Sequence, residues 1–187
     1  MNKFINIAIV GLGQIGNYLY NELNIKKKEI EIKTGKKINI VAISAKNKNK
    51  KRKFKINKKI FYSNPLTIFK SKKIDILFES IGQSDGISKK IVEKALKNKV
   101  SVITPNKALI AKHGDYLAKL AEKNNVNLEF EASVAGGIPI LRTLKDGLAT
   151  NKINKVYGIL NGTTNYILTE MEKTAENFDK VLKKAQL

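Results

Sequence analysis

Two hydrophobic periods take turns along this chain. Residues 4–10, Phe-Ile-Asn-Ile-Ala-Ile-Val, alternate and then run continuously apolar, the pattern of a strand buried in a sheet. Ile15, Tyr18, Leu19 and Leu23 follow at helical spacing. A polar stretch over residues 26–37, with Gly35 as a turn signal, separates this helix from a second strand at residues 38–43. After a basic loop, residues 74–79 predict another strand, 87–96 a helix, and 100–103 a strand ending at Pro105. A helix over about 114–123 leads into a strand at 126–130. Strands alternating with helices of this size imply right-handed crossovers, and the fold class expected is α/β with a doubly wound, Rossmann-like parallel sheet.

The texture changes past Gly136. Gly136-Gly137-Ile138-Pro139 opens a helix in which Ile140, Leu141, Leu144 and Leu148 share a face, with Pro139 suited to the first turn. Residues 153–160 predict a strand, 164–171 a helix, and 177–186 a further amphipathic helix. The boundary expected falls within residues 133–139, giving a first domain of residues 1–135 and a second of 136–187. The second, with one strand, is too small to bury a core alone and is expected to be the start of an α+β domain.

Between the first strand and helix lies Gly11-Leu12-Gly13-Gln14-Ile15-Gly16. In this context it predicts a dinucleotide-binding turn. Gly11 permits the tight turn, Gly13 lets the backbone approach a pyrophosphate, and Gly16 lets the helix pack on the strand. The phosphates would sit at the helix N-terminus, where unpaired N–H groups and the helix dipole favour an anion.

Composition narrows the picture without redirecting it. With no cysteine in 187 residues, disulfides and thiolate metal sites are excluded, and a cytoplasmic location is the simpler expectation. No stretch reaches the ~18 consecutive apolar residues of a membrane span. Lys and Arg number 36 against 16 Asp and Glu, a net charge of +20, which raises the question of nucleic acid. The lysines, however, are spread along the chain amid many Asn and Ile, the bias of an AT-rich genome. The dense cluster at residues 46–59 has Phe54 within it but lacks the interleaved aromatics of a stacking platform, so a solvated loop is expected. Neither specific nucleic acid nor a membrane is expected as a partner.

Several motifs coincide in order: GLGQIG (11–16), ESIGQSDG (79–86), VITPNKALIAKHG (102–114), EASVAGGIPILRTL (131–144) and YGILNGTTNYILTEM (157–171). Together they resemble the homoserine dehydrogenase family across essentially the whole chain. The resemblance implies an NADP- or NAD-dependent oxidoreductase interconverting L-homoserine and L-aspartate 4-semialdehyde, on the route to threonine and methionine. It also implies a dinucleotide-binding domain followed by a substrate and dimerisation domain, and a homodimer when complete. Family members continue past the last helix into a segment that grips the substrate ammonium and carries a second lysine. This chain is therefore expected to lack part of the catalytic domain. The alternative expectation is a catalytically silent cofactor-binding module or regulatory subunit.

Matched residue by residue, the resemblance places Gly13, Gln14 and Ile15 against the cofactor diphosphate, and Ser80, Ile81 and Gly82 under the nicotinamide ribose. An NAD site usually carries an acid at the end of the second strand. Here Ser44, Ala45 and Lys46 stand there, and a hydroxyl with nearby ammonium groups suits a 2′-phosphate, so NADP is expected over NAD; the same lysines equally continue the basic loop. Lys107, just beyond a strand end, is the expected catalytic side chain and also lies at the cofactor, where an ammonium can stabilise a developing alkoxide or relay a proton. His113, the one histidine, is expected to serve the surface or a helix end rather than catalysis. The resemblance assigns Glu131, Val134, Gly136 and Ile138 to a monovalent cation, sodium, held through backbone carbonyls. Gly162 and Thr163 match a turn facing the amino-acid end of the substrate; the plain alternative is a threonine-capped strand-to-helix turn.

Overall fold

The computed structural model describes residues 3–159 and 161–186, in two compact units, Met1–Gly136 and Gly137–Leu187. The first is built on a six-stranded parallel sheet of order β3-β2-β1-β4-β5-β6. Its strands are β1 (Phe4–Val10), β2 (Lys37–Ser44), β3 (Phe61–Tyr62), β4 (Ile76–Glu79), β5 (Ser101–Ile103) and β6 (Leu128–Glu129). The order reverses between β1 and β4, so the C-terminal ends of these two strands open a crevice, the topological switch point of a doubly wound sheet.

Helices cover both faces. On one lie α1 (Gln14–Ile25) and the loop after β2, closing a cluster of Ile7, Ile9, Leu12, Tyr20, Ile40 and Ile43. On the other lie the single-turn α3 (Ile68–Ser71), α4 (Ile87–Lys97) and α5 (Lys107–Lys123), closing the larger cluster around Ala8, Leu77, Ile91, Leu96, Val102 and Leu117. Two-sided burial accounts for the near-continuous apolar runs of β1 and β4. The pairing of β1 with β2 shifts between Ile7 and Ala8: Ile7 faces Ile40 but Ala8 faces Ala42, leaving Val41 as an extra residue.

Several sequence expectations are corrected here. The polar stretch after α1 contains a helix, α2 (Lys27–Thr34), without a buried residue. Its i,i+4 pair Glu29–Lys33 and the left-handed Gly35 at its end stabilise it locally, where hydrophobic period carries no signal. The helix expected from residue 114 starts at Lys107, because the Asn106 side chain accepts from the Leu109 amide at 3.2 Å and caps the first turn. On α1, Ile15 and Tyr18 are more than half exposed, whereas Gly16, Asn17 and Tyr20 are buried. The close approach of Gly16 to the Gly11 carbonyl and Ser80 turns that side of the helix inward.

The second unit contains α6 (Ile140–Arg142), a π-helical turn (Thr143–Gly147), α7 (Gly162–Thr174) and α8 (Phe178–Ala185). Pro139 precedes α6 as its N-cap rather than occupying its first turn. α7 and α8 pack together, and Ile167 and Val181 are buried. No strand forms over residues 153–159, contrary to the expectation, and Leu160 lies outside the described residues. Among the described residues nothing pairs with this segment, and a strand without a neighbour leaves its ladder groups unmet. Its side chains Ile153, Val156, Tyr157 and Ile159 stand exposed. No helix among the described residues is long and apolar enough to cross a membrane.

Candidate functional site

Three turns meet at the switch point, and the first is the glycine turn between β1 and α1. Gly11 has φ +95°, and a Cβ there would lie 2.5 Å from the Ser80 carbonyl carbon and oxygen. A Cβ on Gly16 would lie 1.8 Å from the Gly11 carbonyl oxygen. Both positions therefore require glycine for packing. Gly13 differs: nothing lies within 4 Å of the place its Cβ would occupy. It is also the N-cap of α1, without a side-chain cap and with no acid in the first turn. An open backbone and helix amides that no side chain satisfies suit an anion such as a diphosphate.

The second turn follows β4. The Ser80 amide donates to the Val10 carbonyl at 2.8 Å and its hydroxyl donates to the Gly11 carbonyl at 2.8 Å, joining this turn to the glycine turn. Gly82 is left-handed at φ +90° and exposed. The third turn precedes α5. Asn106 donates from Nδ2 to the Gln83 carbonyl at 2.9 Å while its Oδ1 caps the helix, so Lys107, exposed at the first helical position, stands beside the turn after β4. A cation there faces the positive end of the helix dipole, a placement that does nothing for the helix itself.

At the end of β2, Ser44 is buried and its carbonyl accepts from the Gly11 amide at 2.9 Å, whereas Lys46 is exposed. The basic loop beyond is not merely solvated, which corrects the sequence expectation. Asn17 of α1 exchanges two hydrogen bonds with the Phe54 backbone, at 3.0 and 3.1 Å. Arg52 donates to the carbonyls of Leu12, Asn47, Lys48 and Lys50. Its charge, paired with no carboxylate among the described residues, is thus held against the glycine turn. Between this loop and α1 lies a cleft of about 680 Å³ lined by Gly13, Ile15, Tyr18, Arg52, Phe54 and Phe78, which accounts for the outward apolar side chains of α1.

His113 lies on α5 with Nε2 2.9 Å from Asp85, which also pairs with Lys112 at 2.7 Å. Together they tie the loop after β4 to α5. The Lys112 ammonium, then Ser84 and His113, hold the Asp85 carboxyl well below the usual range.

The cation and substrate expectations fall elsewhere. Glu131 begins a 3-10 turn in which its carbonyl accepts from the Val134 amide at 3.1 Å. Gly136 closes the first unit, and Ile138 belongs to the second, so the four residues are not brought together within one unit. No cluster of three or more His, Asp or Glu fit for a metal occurs among the described residues. Gly162 and Thr163 form the first turn of α7, capped by the Asn161 side chain, which accepts from the Thr164 amide at 2.9 Å.

Sequence reasoning missed Asn17, Arg52, Glu79 and Asn106. Glu79 had a signal, a polar residue closing an otherwise apolar strand; Asn17 lies off the apolar stripe of Ile15, Tyr18, Leu19 and Leu23, and Arg52 was hidden among lysines.

Residues 11–131 match the model of the homoserine dehydrogenase NAD-binding domain, and residues 139–187 that of homoserine dehydrogenase. Homoserine dehydrogenase of Neisseria gonorrhoeae is 40% identical over 184 residues, spanning 98% of this chain and 42% of the relative. A crystal structure of a homoserine dehydrogenase from Thiobacillus denitrificans superposes with a TM-score of 0.78 at 35% identity, over 98% of this chain and 42% of that one. A hyperthermophilic archaeal homoserine dehydrogenase in complex with NADPH shares the fold, with a TM-score of 0.73 at 23% identity over 98% of this chain and 60% of that one.

Proposed function

The chain belongs to the homoserine dehydrogenase family, and from that premise we propose that it carries the cofactor half of an enzyme interconverting L-homoserine and L-aspartate 4-semialdehyde. The observation that carries the reading is the Ser80–Gly11 hydrogen bond of 2.8 Å at the switch point, which joins the glycine turn to the turn after β4, whose Gln83 carbonyl accepts in turn from Asn106 beside Lys107. A nicotinamide cofactor, when bound, supplies or accepts the hydride. The amides of Gly13, Gln14 and Ile15 hold its diphosphate, and residues Ser80, Ile81 and Gly82 lie under its ribose. Gly11 and Gly16 act by packing. Lys46 and Arg52 favour a 2′-phosphate, hence NADP over NAD, while Ser44 acts through its backbone carbonyl, which holds the Gly11 amide.

In reduction, the aldehyde carbon gains a hydride and its oxygen becomes an alkoxide that must gain a proton. Lys107 stabilises that charge and delivers or relays the proton; in oxidation it takes the proton from the hydroxyl. Gly162 and Thr163 supply an amide and a hydroxyl for the amino-acid end of the substrate, and Glu131, Val134 and Gly136 offer carbonyl oxygens to a sodium-class ion.

The test has two arms. Titration of the chain, followed by nicotinamide fluorescence, is expected to show NADPH binding at least as tight as NADH; a clear preference for NADH refutes the 2′-phosphate site. Joined to the remaining length of the family's catalytic domain, the chain is expected to oxidise homoserine, more slowly with choline in place of sodium, and about a hundredfold more slowly as Lys107→Ala. Cofactor binding without turnover in the joined protein identifies a silent module instead.

A further inference from the structure

Glu79 closes β4 inside the protein, fully buried, where a leucine would continue the apolar run Ile76-Leu77-Phe78. No basic side chain reaches it among the described residues. Burying a carboxyl without a cation is costly unless its oxygens are fully hydrogen-bonded. The bonds that satisfy it divide by oxygen. Oε1 accepts from the Ile81 amide at 2.7 Å and from the Ser88 hydroxyl of α4 at 3.0 Å. Oε2 accepts from the Thr104 hydroxyl at 2.7 Å, and Asn106 Nδ2 lies 3.4 Å from both oxygens. Thr104 Oγ1 in turn accepts from the Asn106 amide at 3.0 Å, and Asn106 caps the helix that begins with Lys107.

We propose that Glu79 is a positioning residue: its carboxyl clamps the turn at Ser80, Ile81 and Gly82 to the turn at Thr104, Pro105 and Asn106. The separation between the nicotinamide-side backbone and Lys107 is thereby fixed before any ligand arrives. This rests on the cofactor reading given above. A glutamine at this position has one acceptor oxygen and one NH₂ group, so it can serve only one turn as acceptor and presents a donor to the other.

The experiment uses the full chain as wild type, Glu79→Gln and Thr104→Val, with two measurements. The first is amide hydrogen exchange of Ile81 and Asn106 without ligand. The second is binding of NADPH against adenosine 2′,5′-bisphosphate, which carries the adenine and 2′-phosphate but no nicotinamide. Glu79→Gln is expected to weaken NADPH about tenfold, the loss of one buried hydrogen bond, while bisphosphate affinity stays within about twofold. Thr104→Val is expected to accelerate exchange at Ile81 as well as Asn106, although Thr104 is hydrogen-bonded to Glu79 and not to Ile81.

Equal weakening of both ligands by Glu79→Gln overturns the proposal, as does an Ile81 amide unmoved by Thr104→Val. If the wild type binds neither ligand, the cofactor reading fails, and the exchange data still decide whether the clamp exists.

Discussion

A methyl group added at Gly13 and one added at Gly16 have opposite expected consequences, although the two residues belong to one motif. At Gly16 the Cβ would collide with the Gly11 carbonyl oxygen, so Gly16→Ala is expected to destabilise the first unit by about 1–3 kcal/mol in urea unfolding. At Gly13 the space is open and φ is an ordinary −73°, so Gly13→Ala is expected to keep the unfolding midpoint but weaken NADPH in a fluorescence titration. A Gly13→Ala chain that unfolds early, or binds NADPH unchanged, overturns the phosphate role. The motif was legible in sequence because its three glycines act within six consecutive residues. The hydrogen-bond partners of Glu79 were not, because Ser88, Thr104 and Asn106 lie 9, 25 and 27 residues away, and only the folded sheet brings them to it.

At the scale of elements, hydrophobic period located the strands and helices that bury a face, including β1, β2, α4 and α8. It was silent for α2, which buries nothing, and misleading for residues 153–159, where an apolar pattern has no ladder partner. The loop after β4 and α5 are held by a polar device, the Asp85 carboxylate with Lys112 and His113. Because folding lowers the Asp85 pKa, its contribution is fully present above the ordinary aspartate value of about 4 and is lost as pH falls from there through the depressed folded value. A carbon-detected NMR titration is expected to show the Asp85 carboxyl still ionised at about pH 4, where an ordinary aspartate is half protonated. Asp85→Asn is expected to accelerate amide exchange in residues 83–86; an inflection at the ordinary value removes the tie.

Across the whole molecule the charge of +20 calls for a test of its own. Scattered lysines supply counterion release without a built surface, so DNA binding is expected to be weak, indifferent to sequence and gone near about 0.15 M salt by fluorescence anisotropy. A submicromolar complex persisting there makes nucleic acid a genuine partner. The sheet itself carries one further consequence. In a strand, odd and even residues belong to opposite faces, and Val41, the extra residue of β2, switches that assignment midway. Ile38 and Ile40 pack on the α1 side by even number, but past Val41 it is the odd residues Ile43 and Ala45 that do so. Ser44 is thereby put on the opposite face from Ala45 at the rim of the crevice. One inserted residue in the middle of a strand thus acts as a phase shifter, deciding which side chains a ligand at the edge can meet while leaving the hydrogen-bonded ladder on either side of it intact.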